Sequence, residues 1–262
     1  MKNVTPSPAS IINDNFYHHS TYLQSLIPGM KTTIGQGFSY SDSGLSCDTF
    51  NILYITDASE FKPEAFQKAL QTYDEKDLAY CIWINEENLT HEIRHTLTAA
   101  GIKEAATEPG MILDLADYVP ENVKADIVKL NTPGLLEEFA KIVSLNWDPP
   151  DRNVIDFYHM ASPLLLHGKH TIEYFGSYAD GRLVSVMEVF PDSEKNAGIY
   201  SVCTLSDFRR KGIGTNLLKH CLAYLKNNGY SFATLQAADD GLNIYKKLGF
   251  TEATRFYEFK KL

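Results

Sequence analysis

The chain has 262 residues, 44% hydrophobic and 22% charged, as in soluble globular proteins, and its length allows two domains. No apolar run approaches the ~20 residues of a membrane span, and Met1–Pro8 lacks the apolar core of a signal peptide. Cys47, Cys81, Cys203 and Cys221 form no C-x-x-C pair, so they read as buried, reduced thiols of a cytoplasmic protein. Residues 1–120 carry 7 Lys+Arg against 16 Asp+Glu, whereas residues 121–262 carry 17 of each. An acidic first half repels nucleic acid and anionic membranes, which argues against either partner, and it would favour a cationic amine.

In chain order, Ile11 to Ile27 has helical spacing and stops at Pro28-Gly29. The Gly/Ser/Thr-rich stretch 32–46 predicts a hairpin, and Phe50 to Ile55 a buried strand. A helix from Pro63 follows, then a strand at Ala79 to Ile84. The next helix is capped by Thr90 and ends at Gly101, and Met111 to Leu115 is a strand. Pro120-Glu121-Asn122 marks a boundary, giving domains 1–120 and 121–262. Beyond it, Ala125 to Leu130 precedes helices at Pro133 to Val143 and Arg152 to Leu166. Strands follow at Ile172 to Tyr178, Leu183 to Phe190 and Ile199 to Thr204, the first two joined by the hairpin turn Ala179-Asp180-Gly181. A helix over 213–226, a strand at Ala233 to Gln236, a short helix at Leu242 to Leu248 and a strand at Ala253 to Phe259 complete the order.

One stretch of this order carries chemistry. Phe208-Arg209-Arg210-Lys211-Gly212-Ile213-Gly214-Thr215 leaves a strand and opens a helix. The first turn of a helix has unpaired amides and partial positive charge, and glycine lets an anion approach them. Three cations adjoin, so a pyrophosphate fits. The run matches neither a P-loop nor G-x-G-x-x-G, since Leu217 stands at the third glycine. It does match R-x-x-G-x-G at every fixed position.

With Tyr245-Lys246-Lys247-Leu248-Gly249-Phe250 further on, like a Y-x-K-L-G-F segment, the second half resembles the GNAT superfamily of acyl-CoA-dependent N-acetyltransferases. The resemblance covers residues 124–262 and implies an α/β (α+β) fold with a mixed central sheet. It implies acetyl-CoA as co-substrate, no metal, and direct transfer to a primary amine of a small molecule or peptide. The diphosphate would lie on Arg209, Arg210, Lys211, Gly212, Ile213, Gly214 and Thr215, and the pantetheine arm along the backbone of Val202, Cys203 and Thr204. Tyr245 stands at the family's catalytic tyrosine, which protonates the departing thiolate. Three positions depart from the pattern. Ala238 replaces a frequent cofactor-contacting Asn, Ser206 a frequent Pro, and Arg210 a common Gly, so that position would not rely on positive φ.

Glu188, on a strand with Val184 and Val186, is a candidate base, with Tyr200 or water as alternatives. Asn146 to Asp151 occupies the turn where the family places its acceptor pocket; it reads as a polar capping loop, in which Asp148, Asp151 or Asp156 would meet an amine and Trp147 would stack. The first half repeats the order hairpin, strand, helix, strand, helix, strand, but Thr56-Asp57-Ala58-Ser59-Glu60 replaces the basic loop. It is read as a degenerate GNAT-like half that binds no coenzyme A. Two other functions compete. His91-Glu92-Ile93-Arg94-His95 matches the zinc-protease pattern H-E-x-x-H, with no third ligand close behind and with His159, His167 and His170 in the other half. A non-catalytic coenzyme-binding protein would also keep the loop.

Overall fold

The computed structural model describes residues 6–167 and 171–261. Met1–Thr5, part of the reading on a signal peptide, and His170 lie outside the described residues. The elements are α1 (Pro8–Leu26), β1 (Lys31–Ile34), β2 (Phe38–Asp42), β3 (Ile52–Ile55), α2 (Pro63–Asp74), β4 (Cys81–Asn85), α3 (His91–Ala99) and β5 (Ile102–Asp114). They continue as β6 (Asp126–Lys129), α4 (Pro133–Ser144), α5 (Arg152–His167), β7 (Glu173–Ala179), β8 (Arg182–Pro191) and β9 (Asn196–Thr204). The last are α6 (Ile213–Asn227), β10 (Phe232–Gln236), α7 (Asp239–Lys247) and β11 (Thr251–Lys261).

Local chemistry explains several boundaries. Thr90 caps α3 by accepting from the Ile93 amide, and Thr132 caps α4 by accepting from Leu135, ahead of Pro133 in the first turn. The β7–β8 turn takes φ of 52° at Asp180 and 71° at Gly181, the paired left-handed residues that match strand twist in a tight hairpin. In α6, Leu217, Leu218, Cys221, Leu222 and Leu225 share one buried face.

The chain packs as two compact units, and they are not the contiguous halves expected at 120/121. One comprises the residues up to Asn15 and Met111–Thr251; the other comprises Phe16–Gly110 and the stretch from Glu252. In the first unit the strand order is β5-β10-β9-β8-β7-β6. The β7–β8 and β8–β9 pairs are antiparallel and β9–β10 is parallel. In the second unit the order is β1-β2-β3-β4-β11-β5. Again two antiparallel pairs, β1–β2 and β2–β3, precede a parallel pair, β3–β4. The two halves thus share one topology. Each is closed by the strand that ends the other half's sequence: the end of β5 lies beside β10, and β11 pairs antiparallel with β4 through Phe256–Lys260. Strand pairing over such separations leaves no local trace, which is why a cut in the sequence misses it.

The first unit has a layer on each face of its sheet. Met187, Val189, Ala197, Ile199 and Leu235 pack with α6 and with Tyr245 of α7. On the opposite face, Phe139 of α4 and Tyr158 of α5 pack edge-on against each other and against Tyr174 of β7.

Candidate active site

The site begins where β9 parts from β10. The parallel ladder joins Asn196, Ala197 and Gly198 to Phe232, Ala233 and Thr234 and stops there, although β9 continues to Thr204. From Ser201 onward β9 keeps β8 as its strand neighbour and has lost β10. An irregularity coincides with the parting. Glu188 pairs with Tyr200 and Val186 with Cys203, so one extra residue sits in β9, and Ser201 takes φ 51°. The extra residue reverses the alternation of side chains. Tyr200 and Cys203 therefore share the face of Glu188 and Val186, while Val202 packs into the α6 cluster. The backbone of Val202, Cys203 and Thr204, predicted to hold an extended arm, lies along this opened edge.

Past the edge, Ser206–Phe208 makes one 3-10 turn and the chain enters α6. Arg210 has φ 60° and Gly212 φ 77°. This corrects the expectation that Arg210 avoids positive φ: the turn needs a left-handed residue there, whichever side chain fills it. Gly212 caps α6 with no side-chain cap. Among the described residues no protein group accepts from the amides of Arg210 to Thr215. Left-handed residues alternating with right-handed ones turn successive amides toward one point, a concavity for an anion. The two glycines serve different ends. A Cβ on Gly212 would meet nothing within 4 Å, so its role is the positive φ; a Cβ on Gly214 would lie 2.9 Å from Thr204 Oγ1, so its role is close approach of α6 to β9. Arg209, Arg210 and Lys211 are exposed around this concavity. Arg209 Nε donates to the Thr204 carbonyl at 2.9 Å, and Lys211 Nζ lies 4.9 Å over the Phe208 ring.

Residues 136–250, which include all of this geometry, match the family model described as the acetyltransferase (GNAT) family. This part of the chain is a GNAT domain. Solved structures extend the fold to the whole chain. A GCN5-related N-acetyltransferase from Kribbella flavida is 15% identical with TM-score 0.69, and the match covers 98% of this chain and 96% of that one. A putative GNAT acetyltransferase from Novosphingobium aromaticivorans is 16% identical with TM-score 0.62, covering 98% and 100%. A tandem GNAT protein from the clavulanic acid biosynthesis pathway is 11% identical with TM-score 0.60, covering 97% and 94%. At this identity the likeness is one of fold, and it agrees with the repeated topology of the two halves. No curated protein matches the sequence significantly.

The GNAT domain places the two candidate proton-transfer residues on opposite faces of its sheet. Tyr245 is 8% exposed in the α6-side cluster, edge-on to Phe250, with its ring over Gly241, where a Cβ would lie 2.5 Å from it. Glu188 is 1% exposed on the α4–α5 side, and its Oε2 accepts from Tyr158 Oη at 3.0 Å. Burial, with Glu188 alongside, pushes the Tyr158 and Tyr174 hydroxyls well above the usual tyrosine range, so both stay protonated. The structure brings Glu188, Tyr158, Tyr174 and Tyr200 together and leaves Tyr245 apart from them. Cys203 is held as a thiol: burial pushes it up to about 11, against the opposing hydrogen bond from Asn146 Nδ2, 2.8 Å away, and the nearby Arg209. Asn146 thereby ties the α4–α5 turn to β9, which the sequence did not foretell. In that turn Asp151 accepts from the Asn153 amide and Trp147 is partly exposed, while in the first turns of α5 Asp156 pairs with Arg152 at 3.6 Å.

In the other unit the corresponding segment is built differently. β3 pairs with β4 along its whole length, from Ile52 to Ile55, so no edge opens. The amides of Thr56 and Asp57 donate to Gly37 O, Ala58 to Asn88 Oδ1, Ser59 to Asp57 Oδ1 and Glu60 to Asp57 O. Five consecutive amides are occupied, one of them by a carboxylate. His91 and His95 lie exposed on α3, and no group of three or more His, Cys, Asp and Glu suited to a metal occurs among the described residues. No helix among the described residues is long and apolar enough to cross a membrane. A cavity of about 470 Å³ in the GNAT-domain unit, lined by Leu113, Asp117, Lys247 and Leu248 among others, shares no residue with the loop or with β9.

Proposed function

We propose that the GNAT domain moves an acetyl group from acetyl-CoA to a primary amine by direct attack in a ternary complex. The carrying observation is the opened β9 edge leading into an exposed helix start whose amides no group among the described residues accepts from. Arg209, Arg210 and Lys211 surround the diphosphate while Gly212, Ile213, Gly214 and Thr215 present amides to it. The pantetheine arm runs along Val202, Cys203 and Thr204 and delivers the thioester to the opening. There the amine lone pair forms a C–N bond to the carbonyl carbon and the C–S bond breaks. Glu188 takes the amine proton from one face, and Tyr245 gives a proton to the thiolate from the other. Cys203 takes no covalent part, since a thiol raised to about 11 is a poor nucleophile at neutral pH. The other unit, with its amides occupied, binds no carrier. The protein works as a cytoplasmic enzyme on a small or peptide amine, without nucleic acid or membrane partners.

The test is calorimetric titration with acetyl-CoA, then an amine panel (lysine, glucosamine, spermidine and phenethylamine) with detection of released thiol. Binding and turnover of at least one amine support the reading. Binding with no turnover of any amine would leave a coenzyme-binding protein, and no binding would remove the co-substrate.

A further inference from the structure

Thr204 and Leu205 share one peptide plane at the end of the opened edge. Its N–H, from Leu205, donates to the Val184 carbonyl of β8 at 2.9 Å. The C=O of a trans peptide points the opposite way. The Thr204 carbonyl therefore faces away from β8, toward the side that β10 has left. There it accepts from Arg209 Nε at 2.9 Å. The plane is thus held at both ends, by β8 on one side and by the guanidinium on the other.

The side chain of Thr204 is held as well. Its Oγ1 lies 2.8 Å from Ser185 Oγ, which also donates to the Cys203 carbonyl at 3.0 Å. A Cβ on Gly214 would lie 2.9 Å from the same Oγ1, so α6 abuts it. These contacts fix where Thr204 sits, and Arg209 fixes which way its carbonyl faces. Lys211 is used differently, over the Phe208 ring. Arg209 is exposed, so its bond to the carbonyl is made against competition from water and its effect is modest.

Resting on the function proposed above, we propose that Arg209 is a positioning residue for the pantetheine arm. By holding the Thr204 carbonyl it sets the end of the edge along which the arm lies, a role separate from the charge it shares with Arg210 and Lys211. One side chain then aligns the two parts of the carrier, arm and diphosphate, at the point where strand edge gives way to loop.

Two variants of the full chain separate the roles. In Gln the amide nitrogen is bonded to Cδ, as Nε is in Arg, so Arg209→Gln keeps a donor at that place and loses the charge. Lys has a methylene there, so Arg209→Lys keeps the charge and loses the donor. The probes are acetyl-CoA and ADP, which carries a diphosphate without the arm. Arg209→Lys is expected to weaken acetyl-CoA about 5-fold and ADP by less than about 2-fold. Arg209→Gln should weaken both by the same factor. At about 0.5 M salt, where exposed charges are screened, the Gln variant should bind acetyl-CoA more tightly than the Lys variant. Unchanged acetyl-CoA affinity in Arg209→Lys, or the reverse order at high salt, would overturn the proposal while leaving acetyl transfer intact. If ADP binds too weakly to measure, the order at high salt decides alone. If the wild type binds no acetyl-CoA, the functional reading fails first and takes this proposal with it.

Discussion

Replacing Arg210 by Gly separates two roles of the basic loop. Arg210 has φ 60°, a left-handed conformation that costs a side-chain-bearing residue about 1–2 kcal/mol and glycine almost nothing. Glycine also enlarges the entropy of the unfolded chain, at about 0.4–1 kcal/mol. The variant should therefore be equally stable or more stable, by up to about 1 kcal/mol. For a chain of this size that is a rise of roughly 2 °C in melting temperature. Binding should move the other way. The Arg210 side chain is exposed, so its attraction to a diphosphate is that of charges in water, about 1 kcal/mol at 4 Å. Acetyl-CoA affinity should fall about 5-fold, and the loss should shrink as salt rises. Differential scanning calorimetry gives the first quantity and calorimetric titration at two ionic strengths the second. Arg210→Ala is the control, losing the charge while keeping the strain. A clear loss of stability in the glycine variant, or unchanged affinity at low salt, would refute this account of the loop.

Other outcomes follow from single contacts. Gly214→Ala places a Cβ 2.9 Å from Thr204 Oγ1, itself 2.8 Å from Ser185 Oγ, so α6 must retreat from β9. Stability should drop by about 1–3 kcal/mol, with acetyl-CoA affinity down about 10-fold by titration. Tyr245→Phe keeps the buried ring and removes the proton donor, so kcat should fall about 10²-fold or more with acetyl-CoA affinity unchanged; an unchanged kcat would mean that the thiolate leaves without Tyr245. Cys203, raised from 9.0 to about 11, should contribute to an alkaline loss of stability. Between those values the folded state holds a proton that the unfolded state releases. The contribution is full below about pH 9, falls as pH rises toward 11, and totals about 2–3 kcal/mol. Denaturant titrations of wild type and Cys203→Ser across this range should show a shallower alkaline limb in the variant.

Much of this was legible because it is local. Hydrophobic spacing located the helices, Thr90 and Pro133 marked helix starts, and the glycines with their flanking cations marked the turn that enters α6. What was missed depends on backbone or long-range pairing. The strand was expected from Ile199, so Asn196–Gly198 and the apex they form were overlooked, although a glycine inside a strand is a sign of close approach. The extra residue at Ser201 leaves no composition signal, yet it decides that Tyr200 and Cys203 share a face. Arg210 showed the opposite problem: a residue type that disfavours positive φ was taken as evidence against it.

The exchange of closing strands bears on whether either half of the sequence can stand alone. Residues 111–114 flank β10 of the GNAT-domain unit, and the stretch from Glu252 completes the other unit. Deleting either half would strip a border strand from its sibling and bare a ladder of amides and carbonyls to the next molecule. The two halves of the sequence are therefore expected to fold as a pair, each lending the other a strand.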